Sequence, residues 1–117
     1  MKSNARELGN WGEQLVAEYL IQQGCMVLEK NWRWKKAEVD LIARNKEILL
    51  FVEVKTRSTA AFFNLQEAIP AKKQLLLTEA AEAYCQQNNI VAEIRMDIAV
   101  IIGNSKQYQL NYIPAAF

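Results

Sequence analysis

The sequence predicts an α/β fold in which a central mixed sheet of five strands is flanked by helices. Its composition, with 51% hydrophobic and 23% charged residues over 117 positions, is typical of one globular domain covering residues 1–117. Two segments carry apolar residues at three- and four-residue steps, which predicts helices. Five shorter runs of apolar and β-branched residues predict strands, and their order along the chain favours a mixed sheet.

The first predicted helix covers residues 5–23, and Gly24 is a typical C-terminal stop. Gly9 and Gly12 fall on the apolar side of this helix. Because glycine is unfavourable inside a helix, we expect both to permit close packing of the backbone. The apolar stripe consists of Leu8, Trp11, Leu15, Val16, Tyr19 and Leu20.

The remaining elements follow in the order strand, strand, strand, helix, strand, strand. A turn near Asn45 and Lys46 makes the second and third strands an antiparallel hairpin. The second helix is predicted over residues 65–87, with Pro70 near its start, where proline is tolerated. The five strands are predicted over residues 25–31, 38–44, 48–56, 93–102 and 107–113.

The residue inventory excludes several classes of site. The chain has no histidine, and its two cysteines, Cys25 and Cys85, do not form a CxxC pair. A zinc site of the usual Cys/His kind is therefore nearly excluded, and Ser-His-Asp or Cys-His nucleophilic catalysis is excluded. We expect both cysteines to be reduced and partly buried.

Charge and hydropathy limit the partners. A net charge of +1 does not by itself indicate nucleic acid, so such a partner must be argued from local clusters of charge. The longest apolar runs, residues 48–52 and 98–102, have five residues, against roughly 20 needed to span a bilayer. The N-terminal segment lacks the apolar core of a signal peptide. These observations predict a cytoplasmic protein with no membrane partner.

The third predicted strand carries the most informative residues. Its two faces are apolar for most of its length, which is typical of a central strand covered on both sides. Glu53 and Lys55 lie at its end and share one face, because side chains two apart on a strand point the same way. Across the hairpin, Asp40 falls within one or two rungs of Glu53. A divalent cation that prefers oxygen ligands, Mg²⁺ or Mn²⁺, would relieve the repulsion between these carboxylates.

From the spacing alone, a second interpretation stays open. Burying ionised groups is costly unless they are paired or bind a metal. Glu53 and Lys55 can therefore also form a simple ion pair at the edge of the sheet, with Asp40 as a solvated acid at a strand end. An ExK triplet is common by chance, so it does not decide between the two interpretations.

Asp40, a gap of twelve residues and then Glu53-Val54-Lys55 resemble the D…(D/E)xK core of the restriction-endonuclease-like superfamily. Glu13 on the first helix resembles the helical glutamate of the archaeal Holliday-junction resolvases in that superfamily. The chain is most similar to the YraN-like family of small bacterial predicted endonucleases. This likeness covers nearly the whole chain, through Gly9-x-x-Gly12-Glu13, Glu38-Val39-Asp40-Leu41-Ile42-Ala43, Phe51-Val52-Glu53-Val54-Lys55-Thr56-Arg57, Glu67-Ala68-Ile69, Lys73-Gln74, Arg95-Met96-Asp97 and Ala116-Phe117.

The resemblance implies a restriction-endonuclease-like core and a role for each site residue. Asp40, Glu53 and the backbone carbonyl of Val54 would bind Mg²⁺ or Mn²⁺, and Lys55 would position the attacking water. Glu13 would reach the metal directly or through a water, although a solvated helix acid is an equal alternative. The implied activity is metal-dependent hydrolysis of DNA phosphodiester bonds, with branched or junction DNA in repair or recombination as a candidate substrate.

The sequence departs from the family pattern at one position, and a second function competes with the implied one. Where the family usually has Phe-Gly, this chain has Phe63-Asn64, and asparagine tolerates a left-handed turn better than most residues. A catalytically silent module that keeps the fold and binds nucleic acid or a protein partner is the rival function.

A basic segment with interleaved tryptophans is the candidate nucleic-acid contact. Residues 30–36 carry four positive charges, two tryptophans and no acid. Basic residues neutralise phosphates and aromatic rings stack on unpaired bases. The alternative is one tryptophan in the core beside a solvated basic loop. The predicted contacts are Lys30, Arg33, Trp34, Lys35 and Lys36, with Arg57 and Lys73 as weaker candidates.

The sequence also permits a homodimer. One domain with one site cuts one strand per encounter, so symmetric incision of a junction would need a second copy, most commonly through two-fold pairing. The apolar tail, residues 113–117, is a candidate interface. The alternative is that Phe117 folds back onto the sheet of its own chain.

Overall fold

The computed structural model describes residues 5–59, 64 and 69–117 of the chain. The order of the helices and strands and the mixed five-stranded sheet confirm the predicted layout. Neither helix in these ranges is long and apolar enough to cross a membrane. The elements are helix α1 (Ala5–Gln22), strands β1 (Met26–Trp34), β2 (Ala37–Asn45) and β3 (Ile48–Arg57), helix α2 (Ala71–Gln87), and strands β4 (Glu93–Gly103) and β5 (Tyr108–Ile113).

The strands lie in the sheet in their sequence order, from β1 to β5. Neighbouring strands are antiparallel except β3 and β4, which are parallel from Ile48 opposite Glu93 to Arg57 opposite Ile102. A parallel pair needs a crossover connection, and α2 lies on this connection. The single parallel pair makes the sheet mixed.

Strand β3 is the central strand, and both of its faces are buried as predicted. Leu50 and Val52 pack into a core cluster with α1, whereas Leu49 and Phe51 pack into a second cluster with α2. Burial of a side chain the size of Phe51 contributes about 1.5–3 kcal/mol. The double cover explains why the strand is apolar on both faces until Glu53.

The two glycines of α1 differ in their surroundings. A Cβ built on Gly12 would collide with Oγ1 of Thr56 and lie 3.2 Å from Cδ1 of Ile101, so the predicted close packing is confirmed there. Among the residues that the structure describes, none lies within 4 Å of a Cβ built on Gly9, so the expectation of close packing at that position is wrong there. The approach of α1 to the sheet is thus closer at Gly12 than at Gly9.

Two predicted boundaries change in the structure. Strand β1 continues to Trp34 instead of ending at residue 31, because it pairs with β2 as far as Trp34 opposite Ala37. Helix α2 begins at Ala71, so the predicted start at residue 65 is wrong for the described residues Ile69 and Pro70. Pro70 is the N-cap with ψ of 160°, and the residue before a proline is disfavoured in the helical region. Residues 65–68 and Phe63 lie outside the described residues.

The C-terminal tail and the cysteines belong to the core of the chain. The Ala116 amide donates to the Met96 carbonyl over 2.8 Å, and Phe117 packs against buried residues on the α2 side of the sheet. The tail therefore folds back onto its own sheet. Both cysteines are free thiols, as predicted: Cys25 is buried in the core cluster that contains α1, and Cys85, a residue of α2, is partly buried.

Candidate active site

The two predicted site acids lie within neighbouring strands, at the point where the pairing of β2 with β3 stops. The β2–β3 pairing runs from Asn45 opposite Ile48 to Leu41 opposite Val52, and Asp40 and Glu53 are the residues that follow on each strand. Beyond this rung the Val54 amide donates to Oδ2 of Asp40 over 2.7 Å. The Asp40 carboxylate thus accepts a hydrogen bond from a backbone amide, and this contact fixes the Asp40 side chain beside β3.

Two lysines share one oxygen of Glu53. Oε1 of Glu53 lies 3.2 Å from Nζ of Lys55 and 3.1 Å from Nζ of Lys73. Glu53 is buried, with 8% of its side chain exposed, whereas Lys55 is 16% and Lys73 38% exposed. Burial alone would lower the pKa of Lys73, but the charge and hydrogen bond of Glu53 outweigh it and raise this pKa. The pairing keeps Glu53 compatible with its buried position.

Asp40 is held in an unfavourable electrostatic position. Burial raises its pKa to about 7, and the negative charges of Glu53 and Glu13 act in the same direction. The Val54 hydrogen bond and the positive charge of Lys55 act against the shift. Near neutral pH this carboxyl therefore takes up a proton readily, and a nearby cation would return it to the ionised form.

Glu13 approaches the site from α1. Burial raises its pKa, a hydrogen bond with Asn31 lowers it, and the charges of Glu38 and Glu53 raise it further. These couplings place Glu13 at the border of the site. Its side-chain partner is Asn31, which adopts the left-handed conformation with φ of 52° in β1. That Glu13 reaches the metal position directly or through a water stays a prediction.

The residues present fit a hard divalent cation in their chemistry. Asp40 and Glu53 are oxygen ligands of the kind that Mg²⁺ and Mn²⁺ prefer, and their mutual repulsion is what such an ion relieves. Within residues 5–59, 64 and 69–117, no three His, Cys, Asp or Glu side chains stand close enough together to hold an ion. The remaining ligands would therefore come from the Val54 carbonyl and from water.

A family model described as "Uncharacterised protein family UPF0102" matches residues 12–101, a span that contains Glu13, Asp40, Glu53, Lys55 and Lys73. The chain belongs to the UPF0102 family. This confirms the YraN-like resemblance seen in the motifs. UPF0102 proteins of Flavobacterium psychrophilum and Dictyoglomus turgidum are 39% and 40% identical to it. The alignments cover 95% and 97% of this chain and 93% and 99% of the relatives. These names state no activity, so a function must be argued from the site.

In this UPF0102 chain the predicted basic segment, residues 30–36, makes side-chain contacts with neighbouring residues. Nζ of Lys30 donates to the Gln14 side chain over 3.1 Å, and Arg33 pairs with Glu38 at 2.8 Å. Nζ of Lys35 lies 4.5 Å from the centre of the Trp34 ring. Both Trp32 and Trp34 pack against the α2-side cluster, whereas the alternative drawn from the sequence placed one tryptophan in the core. The segment lies on β1 and its turn to β2, and its exposed charges surround Glu38.

Two open clefts border the site on either side of Glu38. One, of about 460 Å³, is polar and is lined by residues of α1 and β1, among them Arg6, Glu13 and Arg33. The other, of about 770 Å³, lies between the β1–β2 turn and the start of α2, with apolar walls. Its lysines are Lys35, Lys36, Lys72 and Lys73. The site thus opens towards both clefts, through Glu13 and through Lys73.

Sequence reasoning missed the position of Lys73. The sequence groups Lys73 with Arg57 and the segment 30–36 as phosphate contacts, but in the structure Lys73 contacts Glu53 inside the site. Nothing local in the sequence places the first turn of α2 over the end of β3. Arg57, at the end of β3, donates from Nη1 to the carbonyl of Thr56.

A buried network on β4 and β5 was also missed. Asp97 is fully buried and accepts hydrogen bonds from Nε and Nη2 of Arg95, from the Tyr112 hydroxyl at 2.5 Å and from the Ala115 amide. Burial and the Asp97 bond raise the pKa of Tyr112 well above its ordinary range. The alternation of Arg95 and Asp97 on one strand face was the available signal. This network ties the C-terminal tail to the sheet.

Proposed function

We propose that this UPF0102 protein is a metal-dependent nuclease that hydrolyses phosphodiester bonds in DNA. The observation that carries the proposal is that Asp40, Glu53 and Lys55 come together on β2 and β3, just beyond the last paired residues of these two strands. The carboxylates are close enough for Glu53 to raise the pKa of Asp40, and Lys55 contacts Glu53 directly. The element order agrees with the restriction-endonuclease-like core that the D…ExK resemblance implies.

Asp40, Glu53 and the Val54 carbonyl would hold Mg²⁺ or Mn²⁺. A bound ion of this kind lowers the pKa of a coordinated water and offsets negative charge on a phosphate. Glu53 brings its carboxylate to this position on a buried strand, so little reorganisation is needed. The Val54 amide orients Asp40 from the same strand.

Lys55 is assigned to the attacking water and to the charge that develops on the phosphate. Its ammonium is held beside Glu53 by the 3.2 Å contact and has little exposure to solvent. A fixed positive charge in a site with little water stabilises a developing oxyanion more strongly than one in bulk water. Glu13, which borders the site from α1, is assigned a supporting place near the water or the metal.

The rival function is a catalytically silent module that binds nucleic acid or a protein. One observation favours it: Lys55 and Lys73 already neutralise Glu53 without any metal. Such a module would keep the fold and the ion pairs but would not need a divalent cation. Metal affinity therefore separates the two functions.

The experiment joins calorimetry with cleavage assays. Mn²⁺ is titrated into the wild type and into Asp40→Asn, Glu53→Gln and Glu82→Gln. Glu82 is an exposed acid on α2 and serves as the matched control. The proposal expects binding by the wild type and the control and its loss in the two site variants. Mn²⁺-dependent cleavage is then measured on single-stranded, duplex, flapped and four-way DNA, of which we expect the branched forms to be cut best. Equal Mn²⁺ binding by all four proteins would contradict the proposal.

Assembly is part of the same proposal, because paired incision of a four-way junction would need two copies. The apolar tail, residues 113–117, is the interface candidate from the sequence, and its Phe117 packs on the sheet of its own chain. Sedimentation equilibrium with and without junction DNA tests for a two-fold dimer. A strictly monomeric mass in both conditions would discard paired incision and leave nicking of one strand.

A further inference from the structure

Lys73 is the more accessible of the two lysines on Glu53. Both ammoniums lie against the same carboxylate oxygen, but Lys73 is 38% exposed and Lys55 16%. Lys55 is a residue of the central strand β3, while Lys73 is a residue of the first turn of α2. Lys73 also lines the wall of the larger cleft, together with Lys72 and the two lysines of the β1–β2 turn. Its ammonium can therefore exchange Glu53 for a ligand in that cleft.

Charge balance indicates when this exchange takes place. When Asp40 is ionised, the negative charges of the Asp40 and Glu53 carboxylates balance the positive charges of the two lysine ammoniums. A divalent cation on Asp40 and Glu53 would add two positive charges to a mostly buried cluster, and like charges that close repel strongly. The side chain that can leave at least cost is the one with the greatest access to solvent. A phosphate of the bound strand then supplies a negative partner for it.

We propose that Lys73 is a displaceable counter-ion: it neutralises Glu53 in the metal-free protein and moves to a substrate phosphate in the adjacent cleft when a cation binds. This inference rests on the proposed function and assigns a positioning residue and a phosphate position that the D…ExK triplet does not contain. The cleft suits a nucleic-acid strand because four lysines line it against two acids, Glu38 and Glu79, beside leucines of α2 such as Leu76.

If Lys73 is a displaceable counter-ion, replacing it should change the affinity for Mn²⁺ and the affinity for nucleic acid in opposite directions. Lys73→Met removes the competitor for Glu53, so Mn²⁺ should bind more tightly, by about tenfold, which corresponds to about 1.4 kcal/mol. The same substitution removes a positive charge from the cleft, so nucleic acid should bind more weakly when a cation is present. A residue that merely supports the fold would change both affinities in the same direction or neither.

The first test is calorimetric titration of Mn²⁺ without nucleic acid into the wild type, Lys73→Met, Lys73→Gln and Lys72→Met. Lys72 lines the same cleft from the same helical turn, and the Glu53 ion pairs among the described residues are with Lys55 and Lys73. We expect tighter binding by both Lys73 variants and wild-type affinity in Lys72→Met. Thermal unfolding verifies that each variant is folded.

The second test measures the salt dependence of binding to a labelled four-way junction in EDTA and in Ca²⁺, with the strands checked to be intact afterwards. In the wild type, Ca²⁺ should steepen the slope of log affinity against log salt by about 0.7 to 0.9, the value for one more neutralised phosphate. This increment should be absent in both Lys73 variants and present in Lys72→Met.

The outcomes separate this inference from the proposed function. A wild type that binds neither Mn²⁺ nor the junction would overturn both. A wild type that binds both, with Lys73→Met and Lys73→Gln binding Mn²⁺ no more tightly, would overturn the inference and leave the nuclease proposal standing. Retention of the Ca²⁺-dependent slope increment in the Lys73 variants would likewise overturn the inference, because it would place the phosphate on another residue.

Discussion

The Val54 amide donates a hydrogen bond to the Asp40 carboxylate over 2.7 Å, and this contact joins β2 to the residue between Glu53 and Lys55. The regular β2–β3 pairing extends only to Leu41 and Val52. A side chain continues the connection beyond that rung, so the position of Asp40 depends on β3 itself. The position of the Asp40 carboxylate is therefore coupled to the pairing of β2 with β3.

The position of Asp40 should make the stability of the metal-free protein fall as the pH rises. Its pKa is about 7 in the folded protein, against an ordinary value of 3.8, because burial and then the charge of Glu53 disfavour the ionised form. The folded chain thus binds a proton that the unfolded chain releases. This contribution to stability is complete below about pH 4 and is lost as the pH rises through about 7.

Asp40→Asn tests this dependence, since the amide oxygen can still accept the Val54 hydrogen bond. In EDTA at about pH 8, its free energy of unfolding should exceed that of the wild type by about 1–3 kcal/mol. The difference should largely disappear at about pH 4. Denaturant titrations at both pH values provide the measurement, with Glu82→Gln as the control that should follow the wild type. A difference independent of pH would contradict the assignment.

Gly12→Ala should destabilise the fold, because the added methyl group would meet Thr56 and Ile101. Overpacking of this kind costs about 1–3 kcal/mol. Gly9→Ala, three residues away on the same helix and in open space, should instead stabilise by about 0.5–1 kcal/mol through helix propensity. Thermal unfolding compares the two variants. Equal effects would show that α1 does not approach the sheet more closely at Gly12 than at Gly9.

The Asp97 network should be necessary for stability. Tyr112→Phe removes one hydrogen bond to a fully buried carboxylate, at a cost of about 1.5–3 kcal/mol. Arg95→Met leaves that carboxylate without its charge partner, and we expect a larger loss of about 3–5 kcal/mol. Tyr108→Phe, at an exposed position on β5, is the control and should have little effect in denaturant unfolding. Similar stabilities for all three variants would rule out the network as a stabilising element.

The basic segment should contribute to nucleic-acid binding through the charges that remain exposed. Replacing Arg33, Lys35 and Lys36 together with alanine should flatten the slope of log affinity against log salt by about 0.7 to 0.9 for each phosphate that is no longer neutralised. Arg33 is paired with Glu38, so we expect Lys35 and Lys36 to account for most of the change. The same experiment with Lys30→Ala shows whether its bond to Gln14 keeps it from DNA. An unchanged slope in the triple variant would place the binding face elsewhere.

The sequence was sufficient for the element order and for the position of Asp40 across the hairpin from Glu53. Both depend on local rules: apolar periodicity, a short hairpin and the alternation of side chains along a strand. Lys73 could not be placed because its contact with Glu53 depends on how α2 crosses the sheet, which no local pattern specifies. Arg33 and Trp34 looked available for DNA in the sequence because their partners, Glu38 and the α2-side cluster, are defined by tertiary packing.

The decisive test of the proposed nuclease mechanism is Mn²⁺-dependent cleavage of four-way and flapped DNA by the wild type and by Lys55→Ala. We predict that the wild type cuts these substrates. We also predict that Lys55→Ala stops cleavage while the protein stays folded and still binds Mn²⁺, because the lysine acts on water and phosphate and is not a metal ligand. Wild-type cleavage rates in Lys55→Ala, or no cleavage of any substrate by the wild type, would contradict this mechanism.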